Sequence, residues 1–152
     1  MILVNTMEPY DETHVFFSDP IKNNIINDGY FIRILYSNEL ITLNGVYMLL
    51  RLHDIQCEKY YSKYKCCFNV EEHMSQIEQI QAIEDNLLKK YKTNKIPFYK
   101  IVEQLKSGFI KIFDDLDKET TCSVVLKISG IWETAFNYGL TYKFVIVKPQ
   151  PS

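Results

Sequence analysis

The sequence predicts a mainly β domain with one principal helix. Short runs alternating between apolar and polar residues recur along the 152 residues. They are rich in β-branched and aromatic side chains, and the period lengthens to three and four over one long stretch only. A composition of 47% hydrophobic and 24% charged residues, with 5 Gly and 5 Pro, excludes collagen-like, low-complexity and wholly disordered chains. A chain of this length buries roughly 70% of its unfolded surface, enough for one core without disulfides or metal. The longest apolar runs, such as Phe144-Val145-Ile146-Val147, fall far short of the roughly 20 residues of a membrane span. No basic leader opens the chain, so the expectation is a soluble protein in a reducing intracellular compartment, with no membrane partner.

Residues 1–28 hold no sustained period, and Pro9, Pro20 and scattered Asn and Asp predict an acidic N-terminal arm with at most short elements. Strands are predicted over 30–36 and 46–52. Between them Asn44-Gly45 is a turn signal, since both residue types tolerate positive φ. An aromatic-rich third strand is predicted over 60–68. Met74, Ile77, Ile80, Ile83, Leu87, Leu88 and Tyr91 then form the stripe of an amphipathic helix. Asn69 with Glu72 resembles a capping box, and Lys89, Lys90 and Lys92 suit the negative end of the helix dipole. A short helix over 97–106, a fourth strand over 108–113 and a hairpin of 124–132 with 138–147 follow, and 149–152 is a tail.

Three strands, a helix and further strands is the order of an OB-like β-barrel, which places residues 29–148 in one OB-like domain. The alternative is a two-layer α+β antiparallel sheet with the helix on one face.

Net charge is −2, from 17 basic and 19 acidic residues. The strand-bearing segments 29–70, 97–113 and 122–148 nevertheless hold 11 basic against 5 acidic residues. Surface field follows such distribution rather than the sum. Alternate side chains of a strand point to opposite faces, so 60–68 divides into Tyr60, Tyr64 and Phe68 against Lys59, Tyr61, Lys63 and Lys65. In the fourth strand Phe109, Lys111 and Phe113 share a face, and in the hairpin Lys127 and Lys143 oppose Leu126, Ile128, Tyr142 and Phe144. Cations beside rings suit single-stranded nucleic acid, the ammonium groups following phosphates while rings stack on bases. The same alternation describes any half-solvated antiparallel sheet in a Lys- and Tyr-rich chain. The candidate phosphate contacts are Arg33, Arg51, Lys59, Lys63, Lys65, Lys111 and Lys143, and the candidate stacking rings are Tyr47, Tyr61 and Phe109. Trp132 is in phase with Leu126 and Ile128, which predicts a core position.

Catalytic chemistry has little support. No phosphate loop, dinucleotide fingerprint, nucleophile elbow or zinc-protease motif is present. Cys66 and Cys67 are adjacent and, in a strand, point apart, so the four cysteines lack the spacing of a zinc site. Asp114, Asp115 and Asp117 read as a solvated acidic loop rather than a cation site. Neither metal nor cofactor is expected.

Leu126-Lys127-Ile128-Ser129-Gly130-Ile131-Trp132-Glu133 and Tyr138-Gly139-Leu140-Thr141-Tyr142-Lys143-Phe144, with Ile34-Leu35-Tyr36-Ser37-Asn38 and Leu43-Asn44-Gly45-Val46-Tyr47, carry a resemblance. Together they resemble small OB-like single-stranded DNA-binding proteins of nucleocytoplasmic large DNA viruses. The resemblance implies a viral protein acting in genome replication or packaging, in the host cytoplasm or nucleus. One departure is the lack of an arginine-rich segment, Arg33 and Arg51 being the only arginines. The expected function is non-enzymatic binding of single-stranded nucleic acid, DNA rather than RNA, without strong sequence preference; the sequence leaves self-association, and pairing of the hairpin edges with another copy, open. The alternative is a viral structural or protein-interaction module, a virion component or an oligomer subunit.

Overall fold

The computed structural model describes residues 10–23, 29–113 and 122–147. The aspartate run 114–117, the tail 149–152 and residues 1–9 of the arm lie outside the described residues. The strands are β1 (Val15–Phe17), β2 (Ile21–Asn23), β3 (Gly29–Ser37), β4 (Thr42–Leu43), β5 (Val46–Leu52), β6 (Gln56–Tyr60), β7 (Lys63–Cys67), β8 (Ile96–Phe98), β9 (Phe109–Ile112), β10 (Cys122–Glu133) and β11 (Asn137–Val147); the helices are α1 (Met74–Lys90) and α2 (Lys100–Lys106). The protein is therefore mainly β with one principal helix. Its strands pair in the order β1-β3-β10-β11-β9-β7-β6, and the sheet is open.

The long strand β10 organises the sheet. Along one edge it pairs with β11, and along the other first with β5 and then with β3. Gly45 lies just before β5 with φ +125°, and a Cβ there would stand 2.6 Å from the carbonyl oxygen of Ile128. The Asn-Gly signal thus marks both a backbone bend and a close approach to β10. Gly45→Ala is expected to lower stability by about 2 kcal/mol, combining positive-φ strain with that overlap; urea denaturation checks it.

Both helices cover one face of the sheet. Ile77, Ile80, Leu87 and Leu88 of α1 and Ile101 and Leu105 of α2 pack in one cluster with Ile32, Leu50, Ile110, Ile112, Leu126, Ile128 and Ile131. Each such aliphatic side chain contributes roughly 1.5–3 kcal/mol by leaving water. Tyr138 anchors α1 to β11, its hydroxyl donating to the carbonyl of Leu88 at 2.9 Å. Of the predicted capping box one limb forms: Asn69 Oδ1 accepts the backbone N–H of Glu72 at 3.1 Å, within the 3-10 turn Glu71–His73 that leads into α1. The cap positions of that turn (Val70) and of α1 (His73) carry no side-chain cap hydrogen bond. No described helix is long and apolar enough to cross a membrane.

Three features depart from the predicted elements. The helix expected over 97–106 begins only at Lys100, because Ile96–Phe98 form the strand β8 and pair with β11. The stretch read as one strand, 60–68, is part of a hairpin whose tight turn is Tyr61-Ser62. Tyr61 takes φ 57°, a region that Gly or Asn usually fills, so nothing in the sequence announced the turn. Third, β10 shifts register against β11 between Ile128 and Gly130. Ser129 is the extra residue of this bulge, and it inverts the alternation beyond it. Ile131, not Trp132, is fully buried, and Trp132 turns to the face away from the helices.

The described part of the arm holds β1 and β2, both paired with β3. Val15 joins the core, while Glu12 accepts a hydrogen bond from Asn86 of α1.

Candidate nucleic-acid interface

Directly paired residues of neighbouring strands project to the same face. Tyr47 pairs with Lys127, and Lys127 with Lys143. Phe144 is level with Ile112 in the parallel pairing of β11 and β9, which puts Lys143 beside Lys111. Lys111 pairs with Lys65, and Lys65 with Glu58. Across β5-β10-β11-β9-β7-β6 the row thus reads Tyr47, Lys127, Lys143, Lys111, Lys65, Glu58. It lies on the face opposite the helices, because the neighbours Leu126, Phe144, Ile112 and Cys66 all point into the core.

At strand spacings of about 4.8 Å, the ammonium-bearing part of the row spans about 14 Å. Like charges directly opposite one another destabilise a sheet. Among the described residues none of these four lysines forms an ion pair. Rings lie beside three of them instead: the Lys127 ammonium lies 5.6 Å from the Tyr47 ring centroid, and Lys65 and Lys111 lie 4.7 and 5.9 Å from that of Phe109. At the β6–β7 end the face is concave. Glu58, Tyr60, Lys63, Lys65, Phe109 and Lys111 line a space of about 400 Å³, and Lys63 sits 5.8 Å from the Tyr60 ring centroid.

The structure therefore brings together Lys63, Lys65, Phe109 and Lys111, and aligns them with Lys143 and Tyr47. Arg51 is exposed on the same face of β5, in register with Ser123. Arg33 is also exposed on this side, but on β3 opposite Gly130, away from the lysine row. Tyr61 occupies the hairpin tip, 83% exposed, edge-on to Tyr60 with centroids 4.8 Å apart. Lys59 does not join them. It pairs with Tyr64 and belongs to the opposite face, because the unforeseen turn reverses the chain between Lys59 and Lys63. Tyr60 and Lys127 are the site members absent from the sequence-based set. The turn concealed the first, and the second shares the phase of Lys143 across the hairpin.

Elsewhere, His53 Nδ1 lies 3.6 Å from Asp54 and 3.5 Å from Glu72, an exposed trio with one ligand atom each within 4.8 Å. Its single nitrogen and two carboxylates would suit a hard cation better than zinc. Cys66 is buried and Cys67 exposed, as adjacent strand residues require. Of the described acidic residues of the arm, Asp11 engages Thr13 and Glu12 engages Asn86 of α1, so these two carboxylates are not on the lysine row. Comparison with protein-family models, with curated proteins and with solved structures finds no match.

Proposed function

We propose that the protein binds single-stranded nucleic acid, DNA rather than RNA, without catalysis and with little sequence preference, on the sheet face opposite the helices. The observation that carries this reading is the cross-strand row Lys127, Lys143, Lys111 and Lys65, flanked by Tyr47, Phe109 and Tyr60. The row forms no ion pair among the described residues and meets one carboxylate, Glu58, at its Lys65 end. Such a row favours a polyanion, and the rings beside it favour one with exposed bases. With lysine rather than arginine on the row, bidentate reading of base edges is not supported, which fits tolerance of sequence. An OB-like barrel, a viral source and a role in genome replication or packaging belong to the same proposal and rest on the resemblance of the hairpin and strand motifs.

The test is a titration of labelled oligo-dT, with a matched duplex in parallel, at several salt concentrations. Four phosphate contacts on a single strand give a log–log salt slope of about −3. That slope, with preference for the single strand over the duplex, supports the reading. Salt-independent binding, or none, removes it and favours the protein-interaction alternative.

A further inference from the structure

The bulge at Ser129 places a second group of rings on the same face. Ile21, Phe31, Trp132, Gly139 and Phe98 pair successively across β2, β3, β10, β11 and β8. Two glycines let the rings lie down on the sheet. A Cβ at Gly139 would stand 2.6 Å from the Trp132 indole, and one at Gly130 would stand 2.5 Å from the Phe31 ring. Each ring therefore occupies the space a neighbouring side chain would fill. Phe98 continues the surface, its centroid 5.8 Å from that of Trp132 with the planes tilted by 34°. The ammonium of Lys100 lies 5.2 Å from the Trp132 centroid and 5.7 Å from that of Phe98. Phe98 is 43% exposed and Ile21 54%.

We infer that Trp132 and Phe98, with Lys100, form a base-stacking subsite for one unpaired nucleobase of a strand whose backbone lies on the lysine row. This rests on the single-strand reading above and adds to it a defined place for a base. Two features favour a nucleobase over a protein side chain as the occupant. Gly139 and Lys143 lie four residues apart on β11, about 14 Å, so one short oligonucleotide can reach both. Lys100 supplies a cation at the rings themselves, where a base brings a phosphate with it.

The chain contains a single Trp beside 11 Tyr, so tryptophan emission, excited selectively at the red edge where tyrosine does not absorb, reports on this subsite alone. The full-length protein is titrated with oligo-dT while Trp emission and the anisotropy of a labelled oligo-dT are followed in parallel. Inorganic polyphosphate serves as a base-free polyanion. The expected result is a loss of about half the emission or more, saturating with the anisotropy change, and no comparable loss with polyphosphate. Trp132→Ala is expected to weaken oligo-dT binding about 10-fold while Trp132→Phe largely retains it, one stacked base being the difference. Circular dichroism confirms that each variant is folded; if Trp132→Ala is not, Trp132→Phe and Lys100→Ala carry the comparison, the latter expected to weaken binding severalfold. Anisotropy that saturates while emission stays constant overturns the subsite and leaves the lysine row standing. Equal quenching by polyphosphate also overturns it. Absence of binding by either signal overturns both.

Discussion

Glu84→Ala is expected to destabilise the protein by about 3 kcal/mol, a larger loss than that expected of Gly45→Ala. Glu84 projects from the middle of α1, is 0% exposed, and accepts the backbone N–H groups of Ile101 and Val102, each at 3.0 Å. These N–H groups belong to the first turn of α2, where no partner within the helix exists. Tyr99, at the cap position, offers these N–H groups no side-chain acceptor; its hydroxyl donates to Asp85 instead. The carboxylate thus caps a helix from a neighbouring one and ties the two together. Its removal leaves two buried donors unsatisfied, at about 1–3 kcal/mol each, partly offset by relaxation. Glutamine can accept one of the two N–H groups but presents an NH₂ to the other, so roughly half the loss remains. Urea denaturation of the three proteins checks the order.

Burial pushes the Glu84 carboxyl above its usual range, against the opposing effect of the two N–H donors. The folded protein therefore holds this proton more tightly than the unfolded chain. Between the ordinary carboxylate range and the raised folded value, stability from this group increases as pH falls, and it is at its lowest once pH exceeds the folded value. Denaturation midpoints from pH 7 downward should show this component in the wild type and lack it in Glu84→Gln. Parallel profiles would show that Glu84 is not the source.

How far these features were legible depends on whether the signal was local. The 46–52 strand and the apolar stripe of α1 need only their own residues to declare themselves, and β5 and α1 lie where those patterns put them. Lys63 and Lys65 share a face by simple alternation, as do Phe109 and Lys111. Legibility ended where one backbone residue changed the phase. A positive φ at Tyr61 folds 56–67 into a hairpin, moving Lys59 away and bringing Tyr60 in. One extra residue at Ser129 turns Trp132 outward. Strand β8 has only three residues, and its parallel pairing with β11 depends on a partner about forty residues away. Alignment of Lys111 with Lys143 is likewise non-local, set by a single parallel pair between β9 and β11. No window of sequence contains that information.

Lys111→Glu is expected to weaken binding of oligo-dT about 10- to 100-fold near 0.1 M salt while leaving the protein as stable or more so. Lys111 stands between Lys65 and Lys143 in the row, so a carboxylate there faces an ammonium on each side. Opposite-charge cross-strand pairs contribute roughly 0.2–1 kcal/mol, whereas the present like-charge neighbours act in the reverse sense. The position is exposed and its backbone pairing is untouched, so no packing loss offsets the gain. Binding responds in the opposite direction. The substitution takes away one phosphate-binding cation and repels the strand at the centre of the row, which should reduce the salt slope by about 0.7 for each phosphate no longer neutralised. Lys59→Glu is the matched control, the same charge change on the other face of the hairpin, and is expected to alter affinity less than about 3-fold. A structural sheet with scattered surface lysines would give the two variants similar, small effects on binding. Opposite signs for stability and affinity at Lys111, absent at Lys59, are what a row of cations kept for an anionic partner requires.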